Sequence, residues 1–243
     1  MWVGLSGAIA RMREIDVISN NLANADTVGF KRERVAFASA FESAVSDLGV
    51  GPARGAPGRS FAVEAPGGFD PARGVFARTG EPLDAAIEGD GWFEVETARG
   101  ARWTRAGAFA IASDGTLVTQ AGDPVLGQGG PIATGDRGAT ILPSGDVVDR
   151  DGLSLGRLRV VAFDDPDALE QEGGNLFRMR PEAAPPTEVD EVRVAPGTLE
   201  RSNVQPVAEL ASLVLLQRAF EVSVRSIQSD DESTQRLIQE LSS

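Results

Sequence analysis

Apolar positions at the two ends of the chain repeat with helical spacing, and those in the middle do not. After Pro206, the positions Leu210, Leu213, Gln217, Phe220, Val224, Ile227, Asp231, Thr234, Ile238 and Leu241 follow strict 3,4 spacing. Seven of these ten are apolar, so the stripe holds one face of a helix for about nine turns. A second apolar set, Val207, Ala211, Val214 and Leu215, widens the stripe over its first half, the pattern of a helix that touches more than one neighbour. Gln217, Asp231 and Thr234 interrupt the stripe, either as polar register-setters or, for the last two, as a solvated helix end. At the other end, Ala8, Met12, Ile15, Ser19 and Leu22 run at 4,3,4,3 spacing, with Leu5, Ile9 and Ile18 beside them. This predicts a helix of about 20 residues.

The N-terminal pattern stops at Asn20-Asn21-Leu22-Ala23-Asn24-Ala25-Asp26-Thr27-Val28-Gly29-Phe30. Asn and Asp side chains bond their own backbone, and Gly accepts positive φ, so a helix end followed by a tight ordered loop is expected. Phe37, Phe41 and Val45, at i, i+4 and i+8, suggest a second short helix from about Lys31. Gly and Pro then divide the chain. Only Gly4, Gly7 and Gly29 precede Gly49, none follows Gly197, and every Pro lies between Pro52 and Pro206. Both residues break helices, so the ends are free to be helical and the middle is not.

Residues 49–71 read as a loop or extended arm. Beyond them Asp90-Gly91, Arg99-Gly100, Asp114-Gly115, Ala121-Gly122 and Ser144-Gly145 mark turns at hairpin spacing. Short β-type runs lie between them, at Trp92–Val95, Thr116–Thr119 and Leu158–Phe163. The expected fold class is α+β, with long N- and C-terminal helices forming a coiled-coil-like pair that flanks a central all-β domain. The expected division is 1–45 (helix, Asn-rich corner, short helix), 46–75 (linker or arm), 76–200 (β domain) and 206–243 (C-terminal helix). Helices with long apolar faces and few local partners bury them in neighbours, and an open head-to-tail contact builds a filament.

Composition removes most enzyme classes. The 243 residues contain no Cys and no His, which excludes thiolate nucleophiles, imidazole bases, Cys/His zinc sites and disulfides. No metal site and no cofactor site is expected. The net charge of −13 is the wrong sign for nucleic acid and disfavours anionic lipid. No stretch approaches the roughly 20 apolar residues of a membrane span, so no membrane insertion is expected. The N-terminal residues lack the basic region of a secretory signal, Arg11 and Arg13 coming after the apolar part, so export would use another route. Glu88, Asp90, Glu94 and Glu96 cluster, and two carboxylates can hydrolyse a glycan, so a hydrolase site is a candidate here. Glu88 and Asp90 flank a turn, however, and Glu94 and Glu96 alternate with Phe93 and Val95 as on a solvated strand face. Asp164-Asp165-Pro166-Asp167 lacks calcium-loop spacing, and Gly127-Gln128-Gly129-Gly130 is followed by Pro131 rather than by a phosphate-binding helix.

Ser19–Lys31 closely resembles the N-terminal signature NNLANxxTxGFK of the bacterial flagellar rod and hook proteins. Ala86-Ile87-Glu88-Gly89-Asp90-Gly91-Trp92-Phe93 is similar to that family's I-x-G-x-G-F-F element. Trp103-Thr104-Arg105-Ala106-Gly107-Ala108-Phe109 is similar to its Y-T-R-x-G-x-F element, with Trp in place of Tyr. Gly115–Thr119 with Pro124–Gly127, Ser202-Asn203-Val204 and Gln217-Arg218-Ala219-Phe220-Glu221 resemble further segments, so the likeness covers essentially the whole chain. The short β domain argues against the hook protein. The opening Trp2–Gly7 and the ending Asp230–Ile238 resemble the proximal-rod branch more than the distal-rod branch.

The resemblance implies a structural subunit without catalysis, exported unfolded by the flagellar type III apparatus without a cleaved signal peptide. It implies a place in the periplasmic rod of the basal body, among copies of itself and other rod proteins. There the terminal helices form the inner tube and the rod transmits torque from motor to hook. On this reading Asn20, Asn21, Leu22, Ala23, Asn24, Thr27, Gly29 and Phe30 form an assembly corner. Leu210, Leu213, Gln217, Phe220, Val224 and Ile227 are the assembly face of the C-terminal helix, with Phe220, Val224 and Ile227 foremost.

Overall fold

The computed structural model of the chain describes residues 2–39, 62–135 and 138–241, with side chains for 9–35, 67–135 and 138–225. It divides into two compact units. One comprises Met1–Ala23, Glu33–Gly68 and Gln205–Ser243; the other comprises Asn24–Arg32 and Phe69–Val204.

The second unit is built on a six-stranded antiparallel sheet. Its strand order is Leu169–Gly173, Leu176–Met179, Gly100–Thr104, Trp92–Thr97, Val160–Ala162 and Thr187–Glu188. Trp92–Thr97 forms a hairpin with Gly100–Thr104, Phe93 opposite Thr104 and Glu94 opposite Trp103. The neighbouring strand places Val160 opposite Phe93 and Val161 opposite Trp92. Period-two alternation then sorts side chains onto two faces, and both are covered. Phe93, Val95 and Val160 join Phe109, Leu117, Val125, Ile141, Val147 and Leu158 in the main core. Trp92, Trp103 and Val161 join Phe69, Leu169 and Phe177 in a second cluster. There Trp92 and Phe177 lie 4.5 Å apart by ring centroids, and Phe69 meets both rings edge-on. Each such fully buried side chain contributes about 1.5–3 kcal/mol.

Smaller pairings close the unit. Phe76–Arg78 pairs with Thr198–Glu200, Ala85–Ile87 with Val194–Pro196, and Phe109–Ile111 with Leu117–Thr119. Gly107 fits because it has no side chain: a Cβ there would lie 1.6 Å from the Ala85 carbonyl oxygen.

In the first unit, the expected coiled-coil-like pair of long terminal helices is not present. The described residues hold two α-helices, Trp2–Ala23 of 22 residues and Pro206–Leu241 of 36, and most of the remaining structure is β. The helices do meet, Arg11 donating to Ser223 Oγ, but among the described side chains they form no coiled-coil seam. Met12 is 53% exposed and Ser19 is exposed, although both lie on the expected stripe, and the buried residues are Val17, Ile18 and Asn21. The apolar residues of the N-terminal helix are spread around it, so no 3.5-residue repeat wins the contact. On the C-terminal helix Leu210, Val214, Leu215 and Val222 stay exposed.

The expected short helix after Lys31 is a strand, Glu33–Ser39, paired with a second strand at Ala62–Phe69. Spacings of four and eight are even, so they mark one face of a strand as well as one face of a helix. Phe41 and Val45 fall outside the described residues.

Candidate assembly site

The N-terminal helix ends on an amide that stands in for a peptide group. Asn21, fully buried, accepts from the Glu33 backbone N–H through Oδ1 at 2.8 Å and donates to the Glu33 carbonyl through Nδ2 at 3.0 Å. Both backbone groups at the start of the first strand are thereby satisfied, which no apolar residue could do. Asn20 Nδ2 adds a bond to Glu33 Oε2 at 3.2 Å, Leu22 is half-buried and Ala23 is exposed at the helix end.

Within the β unit, Asn24–Arg32 forms a wound corner. Thr27 N–H bonds to the Asn24 carbonyl at 3.1 Å, Thr27 Oγ1 lies 3.1 Å from Asn24 Oδ1, and Phe30 N–H reaches the Thr27 carbonyl at 3.3 Å. Gly29 has φ +69° and gives its N–H to the Glu200 carbonyl at 2.7 Å. A Cβ on Gly29 would sit 2.3 Å from Ala106 N and 2.5 Å from Arg105 C, so backbone meets backbone and only Gly fits. Phe30 is buried beside it. The corner is tied down along its length: Asn175 Nδ2 donates to the Val28 carbonyl at 2.8 Å, and Gln171 Nε2 to the Lys31 carbonyl at 2.7 Å. Asn203 Oδ1 accepts from Arg32 N–H at 2.7 Å, while its Nδ2 donates to the Asp70 and Ala72 carbonyls.

Under this corner lies a buried ion cluster. Lys31 is the chain's sole lysine. Its Nζ is 2.6 Å from Glu200 Oε1 and 2.9 Å from the Ala72 carbonyl, and both charged side chains are 1% exposed. Glu200 Oε1 also accepts the Gly74 N–H at 2.9 Å. Arg105, buried as well, brings Nη1 to 3.6 Å from Glu200 Oε2, donates to the Gly89 carbonyl at 3.0 Å and lies over the Trp92 ring. Two cations thus share one carboxylate. Burial holds the Lys31 ammonium below its ordinary pKa, an effect opposed by Glu200 and reinforced by Arg105; burial likewise lowers Arg105.

The cluster joins residues 31, 105 and 200, which no local pattern connects. The signals that could have found it are the lone lysine closing the corner motif and Arg105 within Trp103–Phe109; Glu200, two residues before Ser202-Asn203-Val204, carries none.

On the C-terminal helix, Leu213, Phe220 and Val224 are half-buried and Leu210 and Gln217 exposed; the Ile227 side chain lies outside those described. The carboxylates do not assemble into a pair. Glu88, Asp90 and Glu96 are exposed, whereas Glu94, expected on a solvated face, is buried against the second aromatic cluster's side of the sheet and paired with Arg159 at 3.2 Å. Burial pushes its carboxyl pKa up, with Arg159 opposing. Asp165 caps the 3₁₀ turn Pro166–Ala168, accepting from Asp167 N–H at 2.9 Å. Among the described residues no group of acidic side chains could hold a metal ion, and no helix is long and apolar enough to cross a membrane.

The β unit has its N-terminal corner locked from within, and the C-terminal helix leaves large apolar side chains in water; these are the features of a subunit that assembles. Residues 1–31 match the family described as flagella basal body rod protein, residues 86–149 the flagellar hook protein FlgE/F/G D1 domain, and residues 195–240 the flagellar basal body rod FlgEFG protein C-terminal region. The chain is 34% identical to the flagellar basal-body rod protein FlgF of Caulobacter vibrioides, over 99% of its own length and 97% of that protein's. It is 34% identical to FlgF of Mesorhizobium japonicum, over 100% and 98%. With the flagellar basal-body rod protein FlgG of Bacillus subtilis the identity is 32%, over 98% and 97%. The chain belongs to the flagellar rod and hook protein family.

Proposed function

We propose that this chain is a structural subunit of the flagellar basal-body rod, in its proximal part, assembling with copies of itself and other rod proteins. The observation that carries the reading is end-to-end similarity to rod proteins, with the three family segments present in order. The physical counterpart is the C-terminal helix. Val207, Leu210, Val214, Leu215 and Val222 stay exposed, and at about 25 cal/mol per Å² such a face gains by being covered. In the rod, neighbouring subunits cover it, with Leu213, Phe220, Val224 and Ile227 completing the contact. The corner Asn20–Phe30 presents the N-terminal segment to the same neighbours, and the rod carries torque from motor to hook. The division into corner, arm, β domain and C-terminal helix belongs to this reading. So does passage through the type III export apparatus to the periplasm without a cleaved signal peptide.

The test is electron microscopy of basal bodies from a strain lacking the gene, complemented with the full chain or with a version ending at Gln205. Missing rods restored only by the full chain support the reading; normal basal bodies in the deletion strain refute it. The similarity to FlgG favours one second reading, the distal rod, in which the proximal segment persists in the deletion strain. A hydrolase reading predicts that changing Glu88 and Glu94 together to Gln abolishes function. With Glu94 buried on Arg159, we expect motility to persist.

A further inference from the structure

Beside the ion cluster the β unit contains a cavity of about 500 Å³. Its walls include the rings of Phe69, Trp92 and Phe163, and Arg105 lines it. Arg105 is 4% exposed, and its Nε has no hydrogen-bond partner among the described residues. The buried carboxylate near it, Glu200, gives Oε1 to Lys31 and the Gly74 N–H and faces Arg105 Nη1 with Oε2 at 3.6 Å, too far for a hydrogen bond. The buried group of Lys31, Arg105 and Glu200 therefore carries one positive charge in excess, at a depth where water screens it little. Asp90 and Asp164 also line the cavity, but both are exposed at its rim, and Asp90 is paired with Arg73 at 3.2 Å. Carboxylates in water are screened and oppose an incoming anion weakly.

We propose that this cavity docks a carboxylate side chain, Asp or Glu, from a second copy of this chain, the carboxylate meeting the charge of Arg105 between the aromatic walls. Charge complementarity selects the occupant. Each copy carries 36 acidic side chains against 23 basic ones, so a buried positive excess opening on a cavity is what an acidic surface of another copy would seek. The assignment rests on the reading of the chain as a self-assembling subunit and names one contact that such assembly uses.

Sodium benzoate, an aromatic carboxylate, serves as the probe, with neutral benzamide as its control. Calorimetry on the full chain is expected to show benzoate binding at least tenfold more tightly than benzamide. Arg105→Lys keeps a charge beside Glu200 but removes the planar guanidinium and its fork of donors, and should erase that preference. Ala72→Phe, at an exposed position lining the cavity, should block it. In sedimentation velocity, benzoate and Ala72→Phe should each weaken self-association. Equal affinity for the two probes, or no binding, overturns the carboxylate site. Benzoate binding with self-association absent or unchanged overturns the second copy as occupant and leaves a free small carboxylate. If Arg105→Lys does not fold, as judged by thermal melting, the benzamide comparison and Ala72→Phe decide. Intact rods in the deletion strain would sink the rod reading without touching the calorimetry, so the two failures are distinguishable.

Discussion

Removing the anion and removing a cation from the buried cluster should have very different costs. Glu200→Gln keeps the volume but leaves Lys31 and Arg105, 1% and 4% exposed, with no negative partner. Uncompensated buried charge costs about 3–5 kcal/mol. Lys31→Met instead leaves Arg105 and Glu200 as a balanced pair. The groups Lys31 abandons keep other partners: the Ala72 carbonyl retains Asn203 Nδ2 at 2.9 Å, and Glu200 retains the Gly74 N–H. The lost charge-assisted hydrogen bond is worth about 1.5–3 kcal/mol. Removing a desolvated ammonium offsets much of it, for a net cost of about 0–2 kcal/mol. The difference of about 3 kcal/mol corresponds to roughly 6–12 °C in melting temperature for a unit of this size. Urea unfolding followed by tryptophan fluorescence reads the right region, because Trp92 and Trp103 both lie in the β unit. Equal costs for the two variants, or a larger cost for Lys31→Met, would refute the charge count.

Three further outcomes follow from the same geometry. Asn21→Ala strips the partners from the Glu33 N–H and carbonyl and should cost about 1–3 kcal/mol, measured by thermal unfolding; a neutral result would mean that other groups take over. Gly29→Ala meets φ +69°, worth about 1–2 kcal/mol, and a 2.3 Å approach to Ala106 N that cannot be relieved without moving backbone. We expect a melting temperature lowered by at least several degrees and loss of swarming, and wild-type motility with an unchanged melt would contradict the close approach. Finally, Lys31 has a folded-state pKa below the usual 10.5. Between that lowered value and 10.5 the unfolded chain binds more protons than the folded one, so this group's contribution to stability rises with pH across that window. Wild type should therefore gain on Lys31→Met as pH is raised toward 10.5, and parallel pH profiles would count against it.

The turns and strands of the middle were legible because Gly and Pro act locally. Their confinement to the middle marked where helices could not run, and Asp114-Gly115 and Ser144-Gly145 do turn the chain with positive φ at Gly. Trp92–Val95 falls inside the strand Trp92–Thr97 for a similar reason, since alternation is written in adjacent residues. What failed was whatever depended on distant partners. Glu33–Ser39 is a strand because Ala62–Phe69 pairs with it, and a pattern with even spacing cannot announce that. The N-terminal helix buries Val17 and Ile18 rather than Met12 because the face a helix turns inward is chosen by its neighbours. The corner motif was found as a string of residues, with its turn chemistry. Its anchoring was not, because Glu200 and Asn203 lie 169 and 171 residues from the groups they hold.

That separation has a consequence for a chain made from one end. Residues 28 to 32 leave the ribosome early, and their partners at Asn175, Glu200 and Asn203 leave it late. Until then the lysine lacks Glu200, Gly29 has no carbonyl to meet, and only the corner's own turn hydrogen bonds hold it. A product truncated anywhere before residue 200 carries a perfect N-terminal motif that cannot lock. The fold thus verifies its own completeness, withholding the finished N-terminal corner until almost the whole subunit is present.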